Sequence, residues 1–114
     1  MPSLYRGNNV RIKQFRLGQL VATPGALAEL SPERIAEIVS RHLLGDWGIV
    51  GAEDWHLNDL ATYDGTRLLS SYWIDEQDHR RGKVWIITEG ESDDERETGH
   101  QRRPYTTILR PDEY

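Results

Sequence analysis

At 114 residues the chain has room for one domain with a modest core, and its lack of cysteine excludes disulfides, thiolate metal sites and a cysteine nucleophile. No apolar run approaches the roughly 18 residues of a membrane helix. The start also lacks a signal-peptide core, so the expected setting is soluble and cytoplasmic. The net charge of −5 is unevenly spread: every acid lies at or after Glu29, while the first 28 residues carry Arg6, Arg11, Lys13 and Arg16. A mainly acidic body argues against general nucleic-acid binding, which needs a basic face for phosphates.

Residues 1–14 offer little to bury and read as a mobile basic arm, leaving residues 15–114 as the domain. Apolar and polar residues alternate from Val10 through Val21 and predict one strand within residues 11–22, with Gly18 as a bulge or break. Thr23-Pro24 has the chemistry of a helix start, a hydroxyl N-cap followed by proline, and opens a short helical turn. Ser31-Pro32-Glu33 repeats that signal before the clearest helix. There Ile35, Ile38, Val39, His42 and Leu43 form a core-facing stripe, with Glu37 and Arg41 as an i,i+4 ion pair outside. Gly45 is its expected stop.

A weaker helix is predicted over residues 52–63, with Leu57, Leu60 and Ala61 inward and Glu53 and Asp54 at its positive end. Asp64-Gly65 marks a turn. Residues 67–75, 83–89 and 105–110 then alternate as strands, the first two joined by a charged hairpin loop. Between the last two lies a charged loop, residues 90–103, expected to be mobile. These elements predict an α+β fold: two helices on one face of a small, mostly antiparallel sheet, in the order β-α-α-β-β-β.

Several stretches resemble a family of small bacterial proteins. They are Leu17-Gly18-Gln19-Leu20-Val21-Ala22-Thr23-Pro24-Gly25-Ala26-Leu27, Arg41-His42-Leu43-Leu44-Gly45-Asp46-Trp47-Gly48, Arg67-Leu68-Leu69-Ser70-Ser71-Tyr72, Val84-Trp85-Ile86-Ile87-Thr88-Glu89 and residues 106–114. Members are labelled plasmid-related, sit on mobile elements, and are sometimes called type I restriction–modification subunits. So short a chain has no room for a methyltransferase fold. The resemblance implies a mobile-element accessory protein and brings no mechanism. Two departures from the family pattern stand out: the first 14 residues are an extension, and the long loop 90–103 separates Thr88-Glu89 from Thr106-Thr107.

Candidate chemistry centres on His42, with Asp46 one turn later as the carboxylate that would orient a general base. Ser70, Thr88 and Thr107 fall on strand alternation and are expected to converge near it, with Arg67 or Arg110 close by. That layout is similar to small metal-independent ribonucleases of the barnase, colicin and RelE-like group, where a base activates a ribose hydroxyl and donors hold the phosphate. A buried, structural histidine and strand-forming threonines are the plainer reading. His42/Asp46 and His56/Asp59 lack further ligands for a metal, and no cofactor is expected. Trp47, Asn58, Tyr72, Trp73 and Trp85 are the candidates for contact with a protein partner. The expected function is binding such a partner to modulate host defence or plasmid maintenance, with ribonuclease activity as the alternative. Whether the chain is an enzyme stays open at this point, as do its oligomeric state and the sheet face that the helices cover.

Overall fold

The computed structural model describes residues 11–91 and 102–114. Residues 1–10 of the arm and residues 92–101 of the charged loop, the stretches expected to be mobile, lie outside the described residues. Strand β1 (Gln19–Ala22) leads into α1 (Pro24–Glu29), α2 (Pro32–Leu43) and α3 (Ala52–Asp64). Strands β2 (Leu68–Trp73), β3 (Lys83–Thr88) and β4 (Tyr105–Leu109) follow, with short 3-10 turns at His79–Arg81 and Pro111–Glu113. The fold is α+β, with three helices among the described residues rather than two, because the short turn after Thr23 is a helix of its own.

The hydroxyl caps act as their residue types require. Thr23 Oγ1 accepts from the Ala26 N–H and Ser31 Oγ from the Arg34 N–H. After α2 the chain passes through Gly45 at φ +80°, a left-handed residue that ends the helix.

The sheet order is β1-β4-β3-β2. β2–β3 and β3–β4 are antiparallel, but β1 joins β4 in parallel, so the sheet is mixed. Ile38 of α2 and Ala26 of α1 pack with Tyr72, Val84, Ile86 and Ile108 in one apolar cluster. Phe15, Trp47, Ala61 and Leu68 form a second. All the strand residues in these clusters lie on one alternation of the sheet. The helices therefore cover the face carrying Ser70, Tyr72 and Thr88, and Trp73 and Trp85 belong to the other face.

Three local expectations are corrected. Glu37 pairs with Arg34, while Arg41 turns to Asp46 and Glu76, so the i,i+4 pair is not formed. Leu57 and Leu60 of α3 are about half exposed, and Ala61, which does face inward, is joined there by Asn58 and Thr62. Arg103 of the charged loop is buried, donating to the carbonyls of Thr66, Glu89 and Ala61.

The rotation of α3 follows from what Asn58 does. Its carboxamide donates to the Leu69 carbonyl at 2.7 Å and accepts from the Leu69 N–H at 3.1 Å, replacing a neighbouring strand along the outer edge of β2. Asn58→Ala removes both bonds at once and should lower unfolding free energy by about 2 kcal/mol. Asn58→Asp keeps the acceptor but loses the donor, and should also destabilise. Urea denaturation of the two variants checks this, and unchanged midpoints would show that the edge closure contributes nothing.

Candidate functional site

His42 lies one turn after Ile38 on the buried stripe of α2, and the helix delivers its ring to the seam between the two apolar clusters. The imidazole is fully buried. Phe15 and Trp47 meet it edge-on, with ring centroids at 5.5 and 5.4 Å. Its Nδ1 is hydrogen-bonded to Ser70 Oγ and its Nε2 to Thr88 Oγ1, the latter at 2.8 Å. Thr88 Oγ1 lies 2.8 Å from Thr106 Oγ1, which donates to the Leu17 carbonyl at 2.7 Å.

The direction of every proton in this chain follows from its last member. A carbonyl can only accept, so the Thr106 hydrogen points to Leu17 and Thr106 accepts from Thr88. Thr88, having given its hydrogen to Thr106, accepts from His42. Nε2 is therefore a protonated nitrogen, and in the neutral ring Nδ1 accepts from the Ser70 hydroxyl. A hydroxyl also accepts, so the Ser70 bond alone would tolerate a proton on Nδ1, and it is burial that selects the neutral ring. Burial, and after it the Arg103 guanidinium, push the His42 pKa down to about 3.

Ser70 and Thr88 thus meet His42, as alternation suggested, but the third hydroxyl is Thr106 and not Thr107. In register, Thr88 stands opposite Thr106, whereas Thr107 stands opposite Ile87 on the other face. Asp46 does not orient the imidazole. Because α2 ends at Leu43 and Gly45 reverses the chain, helical i+4 placement no longer holds at residue 46. Its carboxylate instead binds Arg41 Nε at 2.8 Å and the Gly48 N–H. Arg67 is stacked over the Tyr114 ring and donates to its hydroxyl, so it too is engaged away from the imidazole. Arg110 is drawn to Asp112 and Glu29.

The candidate contact residues divide in two. Trp47, Asn58 and Tyr72 are buried and hold the fold together. The Trp47 indole N–H donates to Asp59, and the Tyr72 hydroxyl to the Asp46 carbonyl. Burial raises the Tyr72 pKa. Trp73 and Trp85 are half-buried on the face turned away from the helices. Trp73 stacks on His79 at 4.0 Å, and Trp85 meets the Tyr114 ring edge-on at 5.8 Å.

Two rows of side chains cross that helix-free face. Val21, Thr107, Ile87 and Leu69 form one, and Leu109, Trp85 and Ser71 the other. Neither apolar cluster includes a residue of either row. Among the described residues no group of His, Asp and Glu side chains is placed to hold a metal, and no helix is long and apolar enough to cross a membrane. Comparison with protein-family models, curated proteins and solved structures gives no match to this chain.

The buried imidazole makes stability depend on pH. An unfolded histidine takes up a proton near pH 6.5, but the folded one resists until about 3. Between these values the unfolded state binds more protons, so the contribution of His42 is complete above pH 6.5 and is lost as pH falls toward 3, by about 1.4 kcal/mol per unit. Urea midpoints measured from pH 7 to 4.5 should fall more steeply in wild type than in His42→Gln, the variant serving as reference for carboxylates that also titrate. Nitrogen shifts of the ring should show one Nε2–H tautomer throughout. A ring that titrates near 6.5 in the folded protein would overturn this account.

Proposed function

We propose that the chain is a small, non-catalytic accessory protein that acts by binding a protein partner. The observation that carries this reading is the helix-free face of the sheet. There Val21, Leu69, Trp85 and Thr107 reach solvent at least in part, bordered by exposed Tyr105 and Tyr114, while Ile87 and Leu109 of the same face are buried between them. A protein of this size gains little by leaving a tryptophan, a leucine and a valine partly open on a sheet face, unless another surface meets them. The buried groups point the same way: the polar atoms on the covered face satisfy one another and leave nothing directed at a substrate. A mobile-element setting, and a role in host defence or plasmid maintenance, rest on the sequence resemblance alone.

The ribonuclease alternative asks His42 to act as a base on a bound RNA. A fully enclosed imidazole with both nitrogens engaged lends that reading no support. One set of proteins tests both. Immobilised wild type, Trp85→Ser, Thr107→Arg and His42→Gln are exposed to a bacterial lysate, and retained proteins are quantified. A defined set held by wild type and His42→Gln, but reduced at least about tenfold on Trp85→Ser and Thr107→Arg, is the expected outcome. Identical capture by all four would remove the sheet face from consideration. Cleavage of total RNA in EDTA by wild type, absent from a folded His42→Gln, would replace the binding reading with the catalytic one.

A further inference from the structure

The two outer edges of the sheet are finished differently. Along β2 the outward backbone groups are met. Leu69 is bonded by the Asn58 carboxamide, Ser71 by the Trp47 carbonyl and the Ile49 N–H, and the Trp73 carbonyl by the Arg34 guanidinium at 2.7 Å. Along β1, Gln19 and Thr23 give their N–H groups to the carbonyls of Pro104 and Ile108. Alternation therefore directs the N–H and C=O of Leu20 and Ala22 outward, where no described residue bonds them.

Strand β1 is short, but its sequence Gln19-Leu20-Val21-Ala22 carries no side chain that guards this edge. The strand contains no lysine, no proline and no charge, the devices by which natural edges are kept from pairing. Leu20 and Val21 are 43% and 37% exposed, and Leu27 of the adjacent α1 is 57% exposed. We infer that β1 pairs antiparallel with β1 of a second copy of this chain, joining two four-stranded sheets across a twofold axis.

Charge selects both the occupant and its direction. At the start of β1, Arg16 and Arg102 line a hollow with Leu17, Gly18 and Leu43, and neither arginine has an ion-pair partner among the described residues. At the end of β1 the Glu113 carboxylate accepts from the Thr23 hydroxyl at 2.6 Å and from the Gly25 N–H at 3.0 Å, with Asp112 beside it. Asp112 and Glu113 outweigh the neighbouring Arg110. Antiparallel pairing sets the basic end of one strand over the acidic end of the other, twice, whereas parallel pairing would set like over like. A foreign strand would have to carry this same gradient, and β1 carries it already.

The outward groups also define the register. With Val21 on the axis, Leu20 of each copy stands opposite Ala22 of the other, and each such pair exchanges both main-chain bonds. The helix-free faces of the two copies then become continuous. Pairing of two β1 strands needs no third-party partner.

The absence of cysteine makes the register directly testable. In the paired arrangement the two Val21 Cα atoms lie about 4.5–5.5 Å apart, within disulfide range. The two Gln19 Cα atoms lie roughly 14 Å apart, outside it. Under mild oxidation Val21→Cys should form a covalent dimer and Gln19→Cys should not. By sedimentation, wild type should show a concentration-dependent dimer weakened by salt. Ala22→Pro, which removes only an outward N–H, should raise the dissociation constant at least about tenfold with an unchanged circular dichroism spectrum. Leu20→Lys serves as the second variant if proline perturbs the fold, with the same expected effect. A wild type that stays monomeric at its highest soluble concentration overturns the inference. So does a dimer untouched by Leu20→Lys, or equal cross-linking at both cysteines.

Discussion

The fold depends on the imidazole of His42 being neutral, enclosed and bonded at both nitrogens. Through it one polar thread ties α2 to Ser70 of β2, to Thr88 of β3, to Thr106 of β4 and to the backbone at Leu17. Each bond contributes only about 1 kcal/mol net, while an orphaned buried member costs about 1–3 kcal/mol. The thread therefore acts less by adding stability than by penalising alternatives. A one-residue slip of β4 against β3 that brought Tyr105 to the place of Thr106 would take away the hydroxyl that Thr88 donates to and its link to the Leu17 carbonyl. The network thus penalises that slip from within the core, and the apolar alternation of β4 opposes the slip in the other direction.

The same thread lies at the join of two apolar clusters, which explains the aromatic walls around it. Phe15 comes from the irregular segment before β1 and Trp47 from the turn after α2. Trp47 is anchored by Asp59 of α3, and its own carbonyl bonds the outer edge of β2. The stretch 45–49 therefore has several tasks at once: it ends α2, lines the imidazole and begins to close one edge of the sheet. Gly48 shows how tight that arrangement is. It sits at φ +76°, and a Cβ there would fall 2.0 Å from the Ser71 carbonyl oxygen, so only glycine permits the backbone to approach β2.

Much of this was legible where chemistry is local. The Thr23 and Ser31 caps, the stop at Gly45, the alternation of β2, β3 and β4 and the inward position of His42 all depend on neighbours a few residues away. What was not legible depends on partners distant in sequence. Thr106 and Thr107 are identical in type, and only pairing with β3 decides which of them meets Thr88. Asp46 looks helical from its spacing until the left-handed turn at Gly45 intervenes. In α3 the leucines suggested one inward face, but an asparagine that substitutes for a strand rotated the helix to bring Asn58 to Leu69. Arg103 reads as one more charge in a charged loop, because the carbonyls that bury it belong to three separate segments.

These corrections bear on function through the division of polar groups between the two faces of the sheet. A catalytic site leaves at least one reactive group facing a space that a substrate can enter, even if that group is strained or unpaired. On the covered face here, the hydroxyls and the imidazole form a closed sequence of donors ending on a main-chain carbonyl, so no member is left over for a ligand. The helix-free face mixes Gln19, Lys83, Tyr105 and Thr107 with the partly open Val21, Leu69, Trp73 and Trp85, over buried Ile87 and Leu109. Recognition by shape and apolar contact suits such a face, whereas proton transfer does not. The unequal finishing of the two edges adds direction to that surface: it can be extended past β1, where the main chain is open, and is stopped at β2, where Asn58, Ile49 and Arg34 have already taken the places of another strand.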